Sequence, residues 1–466
     1  MNCYVRLLIA ICVGFVLYFL PIPDGVDPKG WHLFSIFVGT IVAIILKPFP
    51  MGPVALMGLL ACTLTGVLTF EEGLAGFSKS IIWLVVIVFF IARGFIKTNL
   101  GTRVAYWFVR LLGRRTLGLG YGVVFTELVI APFMPSNAAR TGGVMLPIIK
   151  AISEALGSSP KDNTEKKLGS FLSQVCFQGN LITSAMFLTA MAANPLAQAL
   201  AIKQGVEITW MTWFTGAIVP GLVSIIVIPF LLYVIYPPQI KYLPEAVGLA
   251  KEKLKEMGPM STKEWTMVGI FGVLLVLWMV GDNFGINAAT AALLGLCMLF
   301  ILGVIEWKDV LQESEAWHTL VWLAILVTMS IYLEKFGFIG WFSGSMGRLV
   351  EGWSWHAAFL TLIMAYFYSH YFFASNTAHV SSMYAAFLAV SISVGTPPLL
   401  AALVLAYFSS LFSSMTHYGT SSAAVLYGAG YVGLPAWWGN GLIVSVVNII
   451  IWLGVGGVWW KILGIW

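Results

Sequence analysis

The sequence predicts an all-α polytopic membrane protein built from two repeats. Three observations lead to this prediction: an apolar composition, a series of long apolar runs, and an internal repeat. Of the 466 residues, 59% are hydrophobic and only 10% are charged, whereas a soluble domain carries about 25% charged residues. The net charge of +5 is explained by basic residues in cytoplasmic loops, so it indicates a lipid bilayer and no nucleic-acid partner.

Apolar runs long enough to cross about 30 Å of hydrocarbon predict about eleven transmembrane helices. They lie at 4–20, 31–47, 52–69, 80–97, 168–200, 212–236, 265–281, 288–305, 316–335, 398–430 and 441–460. We expect the runs 168–200 and 398–430 to be broken helices, interrupted at 178–180 and 416–420. Two further apolar runs are broken near the middle: 118–150 by Pro132, Pro135 and Asn137, and 357–391 by the polar pair Ser375-Asn376. These two predict re-entrant hairpins whose tips are buried in protein.

The two hairpins belong to an internal repeat. Ser136-Asn137 and Ser375-Asn376 lie 239 positions apart, and the same offset places Trp83 on Trp322 and Gly101 on Gly340. We therefore predict a first repeat at 1–238, an amphipathic linker at 239–264 and a second repeat at 265–466.

Charge predicts that the two repeats are inverted relative to each other. Residues 97–118 carry five basic residues and no acidic one, which places them in the cytoplasm. Their mates at 334–356 carry Glu334, Lys335, Arg348 and Glu351, with no net charge. Equivalent segments on opposite sides of the membrane are typical of secondary transporters. Within the basic segment, 103–113 is too short to span and predicts a helix at the membrane interface.

The Ser-Asn elements predict an anion site. Ser and Asn are favoured helix N-caps, and a helix-like run follows each pair, at 139–152 and 377–392. Each helix N-terminus offers unpaired N–H groups and about half a positive charge. Two such ends near the middle of the membrane would bind an anion with two separated carboxylates, one at each end.

Two bases follow the Ser-Asn pairs at equivalent positions, Arg140 and His379. An ionisable group inside a membrane protein is expensive and usually functional. Arg140 either contacts the substrate or pairs with Glu127 in the same hairpin, and His379 is either a ligand or a satisfied core histidine. The helix breaks add carbonyl and hydroxyl groups. The candidate substrate-binding residues are Ser136, Asn137, Ala138, Arg140, Thr141, Asn180, Ser375, Asn376, Thr377, His379, His417, Gly419 and Thr420.

The sequence contains no pattern that indicates an enzyme. We find no P-loop, nucleotide fingerprint, HExxH motif or paired catalytic carboxylates. The five cysteines lie apart, so they predict neither a disulfide framework nor a metal site. No cofactor is expected.

The stretch from Ala131 to Pro147, APFMPSNAARTGGVMLP, resembles the divalent anion/sodium symporter family, in particular its 2-oxoglutarate/malate translocator branch. That branch includes citrate/succinate and tartrate/succinate exchangers, and the stretch 416–420 fits it as well. The resemblance implies a homodimer with a fixed scaffold and a mobile transport domain that moves as an elevator. It also implies substrate contacts at Ser136, Asn137, Ser375, Asn376 and Thr377.

Two departures from the family pattern bear on function. Ala138 stands where the family motif often has Thr, which removes one hydroxyl group. Sodium-coupled members resemble one another in a Gly-Thr-Pro-Pro-Asn sequence at the helix breaks, whereas this chain has Gln178-Gly-Asn-Leu-Ile and Tyr418-Gly-Thr-Ser-Ser.

We therefore predict a sodium-independent antiporter of C4–C5 dicarboxylates, such as 2-oxoglutarate, malate or succinate, in a bacterial plasma or inner membrane. Arg140 and His379 would supply the positive charge that sodium-coupled relatives recruit as ions. The alternatives are a sodium- or proton-coupled di- or tricarboxylate symporter, and a citrate/succinate or tartrate/succinate antiporter. A membrane enzyme and an anion channel are disfavoured alternatives, because the catalytic motifs and the repeated rings of a selectivity filter are missing from the sequence.

Overall fold

The computed structural model describes residues 2–347 and 352–466, and within these ranges the chain is helical. Seven described helical segments are long and apolar enough to cross a membrane: Pro28–Leu46, Ser80–Lys97, Thr116–Phe133, Trp210–Ile235, Thr262–Val280, Ser314–Lys335 and Leu434–Ile462. This confirms the prediction of an all-helical polytopic protein. The predicted count of about eleven spans stays a prediction, because four further apolar helices have fewer than 18 residues.

The first half begins with helices α1 (Cys3–Phe19), α2 (Pro28–Leu46), α3 (Met51–Leu64), α4 (Phe70–Gly73), α5 (Ser80–Lys97) and α6 (Leu100–Leu112). It continues with α7 (Thr116–Ile130), α8 (Leu146–Ala155), α9 (Gly169–Met186), α10 (Ala193–Lys203) and α11 (Trp210–Ile235). The linker contains α12 (Pro244–Glu256).

The second half begins with α13 (Thr262–Val280), α14 (Ala288–Ile301), α15 (Trp307–Gln312), α16 (Ser314–Lys335), α17 (Phe338–Gly347) and α18 (Trp355–Ser369). It ends with α19 (Asn376–His379), α20 (Ala385–Ser393), α21 (Pro398–Leu411), α22 (Ser421–Gly428), α23 (Leu434–Ile450) and α24 (Gly456–Ile462).

Helix bounds recur between the halves. α7 and α18 begin and end 239 positions apart, and so do the 3₁₀ turns Ala131–Phe133 and His370–Phe372 that follow them. A π-helical segment comes after each hairpin tip, at Ala139–Met145 and Val380–Tyr384. These bounds agree with a duplication. The opposite orientation of the halves stays a prediction, and Arg348 and Glu351, which entered the charge comparison, lie outside the described residues.

The first broken helix differs from the prediction, because its break does not lie at 178–180. α9 runs through these residues without interruption and ends at Met186. The amide of Gln178 donates to the carbonyl of Ser414 at 3.0 Å, so this polar side chain joins two helices and leaves its own helix intact. The break lies between α9 and α10, where Asn194 donates to the carbonyls of Ser184 and Phe187 and thereby satisfies groups that the break exposes.

Loop length explains why the constant offset between the halves does not extend to the two broken helices. The connection between α8 and α9 covers 13 residues (156–168), whereas the connection between α20 and α21 covers four (394–397). The constant offset therefore ends at this loop. The second break lies where the sequence predicts it, because 415–420 is not helical.

The predicted interfacial helix corresponds to α6, but one of the four arginines of the basic segment is buried. Arg103 is 5% exposed and its Nε donates to Glu264 at 2.5 Å. Its Nη1 also donates to the carbonyl of Gly258 at 2.8 Å. Arg103 therefore fastens α6 to the start of α13, whereas Arg110, Arg114 and Arg115 are exposed.

The close approach of Gly76 to α16 provides a test of the fold. A Cβ at Gly76 would lie 2.0 Å from the carbonyl oxygen of Ala324, and the Gly76 N–H donates to Thr328 Oγ1 at 2.8 Å. We expect Gly76→Ala to lower stability by about 1–3 kcal/mol or more, because the backbone must move apart. The measurement is the melting temperature in detergent. Gly269→Ala is the control, because a Cβ there meets nothing within 4 Å. An equal melting temperature for the two variants would contradict this packing.

Candidate functional site

The turns at Ser136 and Ser375, the predicted hairpin tips, have the predicted N-cap geometry, and the re-entrant course of the two hairpins stays a prediction. Ser136 Oγ accepts from the Ala139 N–H at 3.2 Å, and Ser375 Oγ accepts from the Ala378 N–H at 3.4 Å. Both serines are half-buried. Each tip is thus a non-helical turn that leads into a helix whose first N–H groups are available to an anion.

Arg140 lies one turn after the first tip and is completely buried. Its Nε donates to Glu127 Oε2 at 3.0 Å, so the ion pair with Glu127, the second of the two sequence alternatives, is formed. The remaining guanidinium contacts are the carbonyl of Met134, the carbonyl of Ala190 at 2.5 Å, Ser184 Oγ at 2.5 Å and Asn137 Oδ1 at 3.4 Å. In this conformation every guanidinium nitrogen is engaged by the protein.

These contacts join three elements around one cation. Met134 belongs to the tip, Ala190 to the break between α9 and α10, and Glu127 to α7. The oxygens around Arg140 comprise two carbonyls, one amide, one hydroxyl and one carboxylate, which are the ligand types that a hard metal cation prefers. The guanidinium engages all five of these oxygens and holds their residues in place.

Other predicted site residues form hydrogen bonds in the cluster around Arg140 and Glu127. Asn180 is fully buried and its Nδ2 donates to Glu127 Oε2 at 3.0 Å. Asn137 is 5% exposed and its Oδ1 accepts from Ser184 Oγ at 3.1 Å. Thr141 Oγ1 donates to the carbonyl of Asn137 at 2.8 Å within its own helix. The side chains of these three residues are buried, so Ser136 and the half-buried Ala138 form the accessible part of the first tip.

A histidine pair takes the equivalent place in the second hairpin. His379 is fully buried, and its Nδ1 lies 3.2 Å from Nδ1 of His370. His370 Nε2 lies 3.0 Å from the carbonyl of Gly419 in the second helix break. Since a carbonyl only accepts, Nε2 of His370 carries a proton, and in the neutral pair Nδ1 of His379 donates to Nδ1 of His370.

The histidine pair is enclosed by aromatic rings. Phe412 stacks on His370 with ring centroids 3.8 Å apart, and Phe373 and Tyr366 stack on His379 at 4.6 Å. Tyr366 is the mate of Glu127 at the offset of 239. The first half therefore places a charged pair where the second half places stacked rings.

Asn376 and Gly419 connect the second tip to its broken helix. Asn376 Nδ2 donates to the carbonyl of Ser409 and to Ser413 Oγ, both at 3.0 Å. Gly419 is required beside His370, because a Cβ there would lie 3.0 Å from His370 Nε2 and 2.6 Å from Thr416 Oγ1. Thr420 precedes α22 and is 4% exposed. Within the described ranges, the half-buried Thr377 hydroxyl has no hydrogen-bond partner and is free for a ligand.

His417 is oriented by Trp438, a residue that the sequence analysis missed. The indole Nε1, which can only donate, lies 3.2 Å from Nδ1 of His417. The histidine is therefore protonated on Nε2 when it is neutral. In the part of the chain that the structure describes, Nε2 has no protein partner, so His417 presents one free N–H group.

The structure describes two clusters, a cavity adjoins each hairpin, and the meeting of the two clusters at one substrate remains a proposal. A cavity of about 40 Å³ adjoins Ser136 and is also lined by Arg93, Glu313 and Glu315. Burial raises the pKa of the Glu313 carboxyl, and the charge of Arg93 opposes that shift. A cavity of about 120 Å³ adjoins the second hairpin at Ser381.

Sequence reasoning missed residues that have no distinctive pattern. Ser184, Ser413 and the carbonyl of Ala190 contribute oxygens to the two clusters. Lys47 was also missed, although its Nζ lies 3.5 Å from the carbonyl of Ala374 at the second tip. For His370 the sequence does offer a signal. It is an ionisable residue in a strongly apolar run, and it precedes Ser375 by only one turn and a half.

The Arg140–Glu127 pair predicts a non-additive effect on stability. Arg140→Met leaves the Glu127 carboxylate buried without its partner, which costs about 3–5 kcal/mol. Glu127→Gln combined with Arg140→Met removes both charges and should lose less. Melting temperatures in detergent measure both variants, with the exposed Arg115→Met as the control. A double variant at least as unstable as Arg140→Met would contradict a charge-compensated pair.

Several proteins resemble this chain over nearly its full length. YflS of Bacillus subtilis (strain 168), provisionally named a malate transporter, is 54% identical over 463 residues, covering 99% of this chain and 97% of the relative. Dicarboxylate transporter 1 of Arabidopsis thaliana chloroplasts is 53% identical over 465 residues, 99% of this chain and 83% of the relative. The citrate/succinate antiporter of Escherichia coli (strain K12) is 35% identical over 481 residues, 99% of this chain and 98% of the relative.

A solved structure shares the fold. The YdaH transporter of Alcanivorax borkumensis has a TM-score of 0.52 at 11% identity, covering 98% of this chain and 96% of that one. The family described as the sodium:sulfate symporter transmembrane region matches residues 2–466. These findings confirm the resemblance seen in the sequence and the prediction of a multi-pass membrane transporter that is not an enzyme. The chain belongs to the sodium:sulfate symporter transmembrane family.

Proposed function

We propose that this protein exchanges C4–C5 dicarboxylates across the membrane without sodium. The observation that supports the proposal most is the position of Arg140. Its guanidinium binds oxygens from the first tip, the first helix break and α7. A sodium-coupled carrier needs such oxygens free for the ion, whereas here a covalently attached cation fills them.

A dicarboxylate suits the two tips. Each tip leads into a helix N-terminus, and Ser136, Ser375 and Thr377 are half-buried polar residues beside these ends. Two positive helix ends match two separated carboxylates. The names of the Arabidopsis and E. coli relatives support the same substrate class, and the name of the B. subtilis relative favours malate.

We infer exchange from the cost of moving the empty carrier across the membrane. The Arg140 charge is balanced by Glu127, so the groups left without a partner in the empty carrier are the N–H groups at the two helix ends. A buried N–H group without a partner costs about 1–3 kcal/mol, and a bound dicarboxylate removes this cost at both ends. If the two ends together cost about 3 kcal/mol, the empty carrier returns over 100-fold more slowly than the loaded one.

The hairpins and broken helices would be the moving unit of an elevator. Ser410 Oγ donates to the carbonyl of Leu181 at 2.8 Å, which joins the two broken helices, and Arg140 and His370 join the hairpins to the breaks. We infer that α1 to α5 and α13 to α16 form the scaffold and that the protein is a homodimer, as the family resemblance implies.

The direct test is uptake of labelled succinate into proteoliposomes. The vesicles contain either unlabelled 2-oxoglutarate or buffer, and each is measured in sodium and in choline. We expect uptake only into loaded vesicles, with equal rates in both salts. Uptake into empty vesicles that requires a sodium gradient would contradict the proposal and favour a symporter.

Thr377 offers a test of the substrate contacts. Thr377→Val removes a hydroxyl that no described protein group engages, while the shape of the side chain is kept. A hydrogen bond to a charged carboxylate contributes about 1.5–3 kcal/mol, so we expect KM for exchange to rise at least about tenfold. Thr361→Val is the matched control, because its hydroxyl donates within its own helix to Ala357 at 2.9 Å. An unchanged KM in Thr377→Val would remove this residue from the site.

The histidine pair favours a second candidate, a proton-coupled symporter. One further proton can be placed on Nε2 of His379, which lies 3.3 Å from Ser369 Oγ, because that hydroxyl can then donate to the carbonyl of Tyr366 at 3.0 Å. Every hydrogen bond of the pair survives this protonation. Succinate uptake into buffer-loaded vesicles that an inward proton gradient drives, and that His379→Gln abolishes, would establish this alternative over exchange.

A further inference from the structure

α6 presents an unusual combination of basic and apolar side chains on one face. Trp107, Arg110 and Leu111 follow at spacings of three and one residues, which places them along one stripe of α6, and Arg114 lies two residues past the end of the helix. Trp107 is 43% exposed and Leu111 is 73% exposed. The opposite side of the helix is buried at Ala105 and Val109, and one turn before Trp107 the buried Arg103 fastens the start of α6 to Glu264.

A cleft lies beside this stripe. It has a volume of about 530 Å³ and is lined by Trp107, Arg110, Leu111, Arg114, Val247 and Lys251. Val247 and Lys251 come from α12, one turn apart, so the cleft lies between α6 and the linker helix. Three of the lining residues are basic and none is acidic.

The three basic side chains of the cleft lack protein partners in the described part of the chain. Arg110, Arg114 and Lys251 are exposed, and across the described ranges none of them has a hydrogen bond or an ion pair with the protein. The nearby acid Glu256 is already paired with Lys253 at 2.7 Å. Convergent bases without counter-charges mark a site for an anion.

We propose that this cleft binds the phosphate of an anionic phospholipid headgroup. Guanidinium groups bind phosphate oxygens through paired hydrogen bonds, and Lys251 adds a third positive charge. The exposed Trp107 and Leu111 on the same stripe distinguish a lipid from a soluble phosphate, because they fit the boundary between headgroups and acyl chains. The inference does not depend on which substrate is carried.

The site would fasten α6 and α12 to the membrane surface. α12 connects the two halves of the chain, and α6 lies next to the first hairpin through α7. A lipid bound between α6 and α12 therefore links the connection between the halves to the bilayer.

The test is native mass spectrometry of the purified full-length protein in detergent with added phosphatidylglycerol or phosphatidylcholine. Each base near an anionic lipid surface strengthens binding about fivefold. We therefore expect R110Q/R114Q/K251Q to weaken phosphatidylglycerol binding by about 100-fold and to leave phosphatidylcholine binding unchanged. R110K/R114K keeps the charge and should retain most of the binding.

The matched control is K161Q/K166Q/K255Q, which removes the same number of charges from exposed positions outside the cleft. Equal loss in this control and in R110Q/R114Q/K251Q would overturn the site, since net charge alone would then explain the binding. Displacement of phosphatidylglycerol by equimolar glycerol phosphate would overturn the lipid assignment in favour of a free phosphate. Displacement only at large excess supports the lipid.

Discussion

The ion pair between Arg140 and Glu127 is the interaction on which the first hairpin depends. A buried ion pair is not in itself a source of stability, because both charges lose their hydration. Arg140 offsets this cost because it donates to carbonyls at the tip and at the helix break. These carbonyls would otherwise be unpaired in a membrane interior. One guanidinium thus determines where the tip lies relative to the break.

In the second hairpin, neutral side chains satisfy the corresponding backbone carbonyls. His370 satisfies the carbonyl of Gly419, and Asn376 satisfies the carbonyl of Ser409. The rings of Phe412, Phe373 and Tyr366 surround the histidines. The halves share helix bounds and differ in chemistry, so each tip can hold one carboxylate of the same substrate in a different setting. We propose that the carrier binds its anion with these built-in groups, which is why we connect the clusters to exchange.

The helix bounds were predictable from the sequence, but the contacts of the site were predictable only in part. Apolar runs and a constant offset locate α7, α18 and both tips, because these features need no knowledge of tertiary contacts. The first break was misplaced because Gln178 and Asn180 look like interruptions, whereas in the fold they bond to neighbouring helices. The carbonyls of Met134 and Ala190 could not be predicted as ligands of Arg140. Every residue has the same backbone carbonyl, so the sequence does not single out these two. Trp438 was missed because it lies far along the chain from the His417 that it orients.

The central claim is that built-in groups replace a recruited cation. Equilibrium binding of succinate to the purified protein, measured by calorimetry in sodium chloride and in choline chloride at constant ionic strength, tests this claim most directly. We expect the same Kd in both salts across the whole range of sodium concentration. A Kd that falls steeply as sodium replaces choline would show that an ion joins the substrate, and it would contradict the role assigned to Arg140.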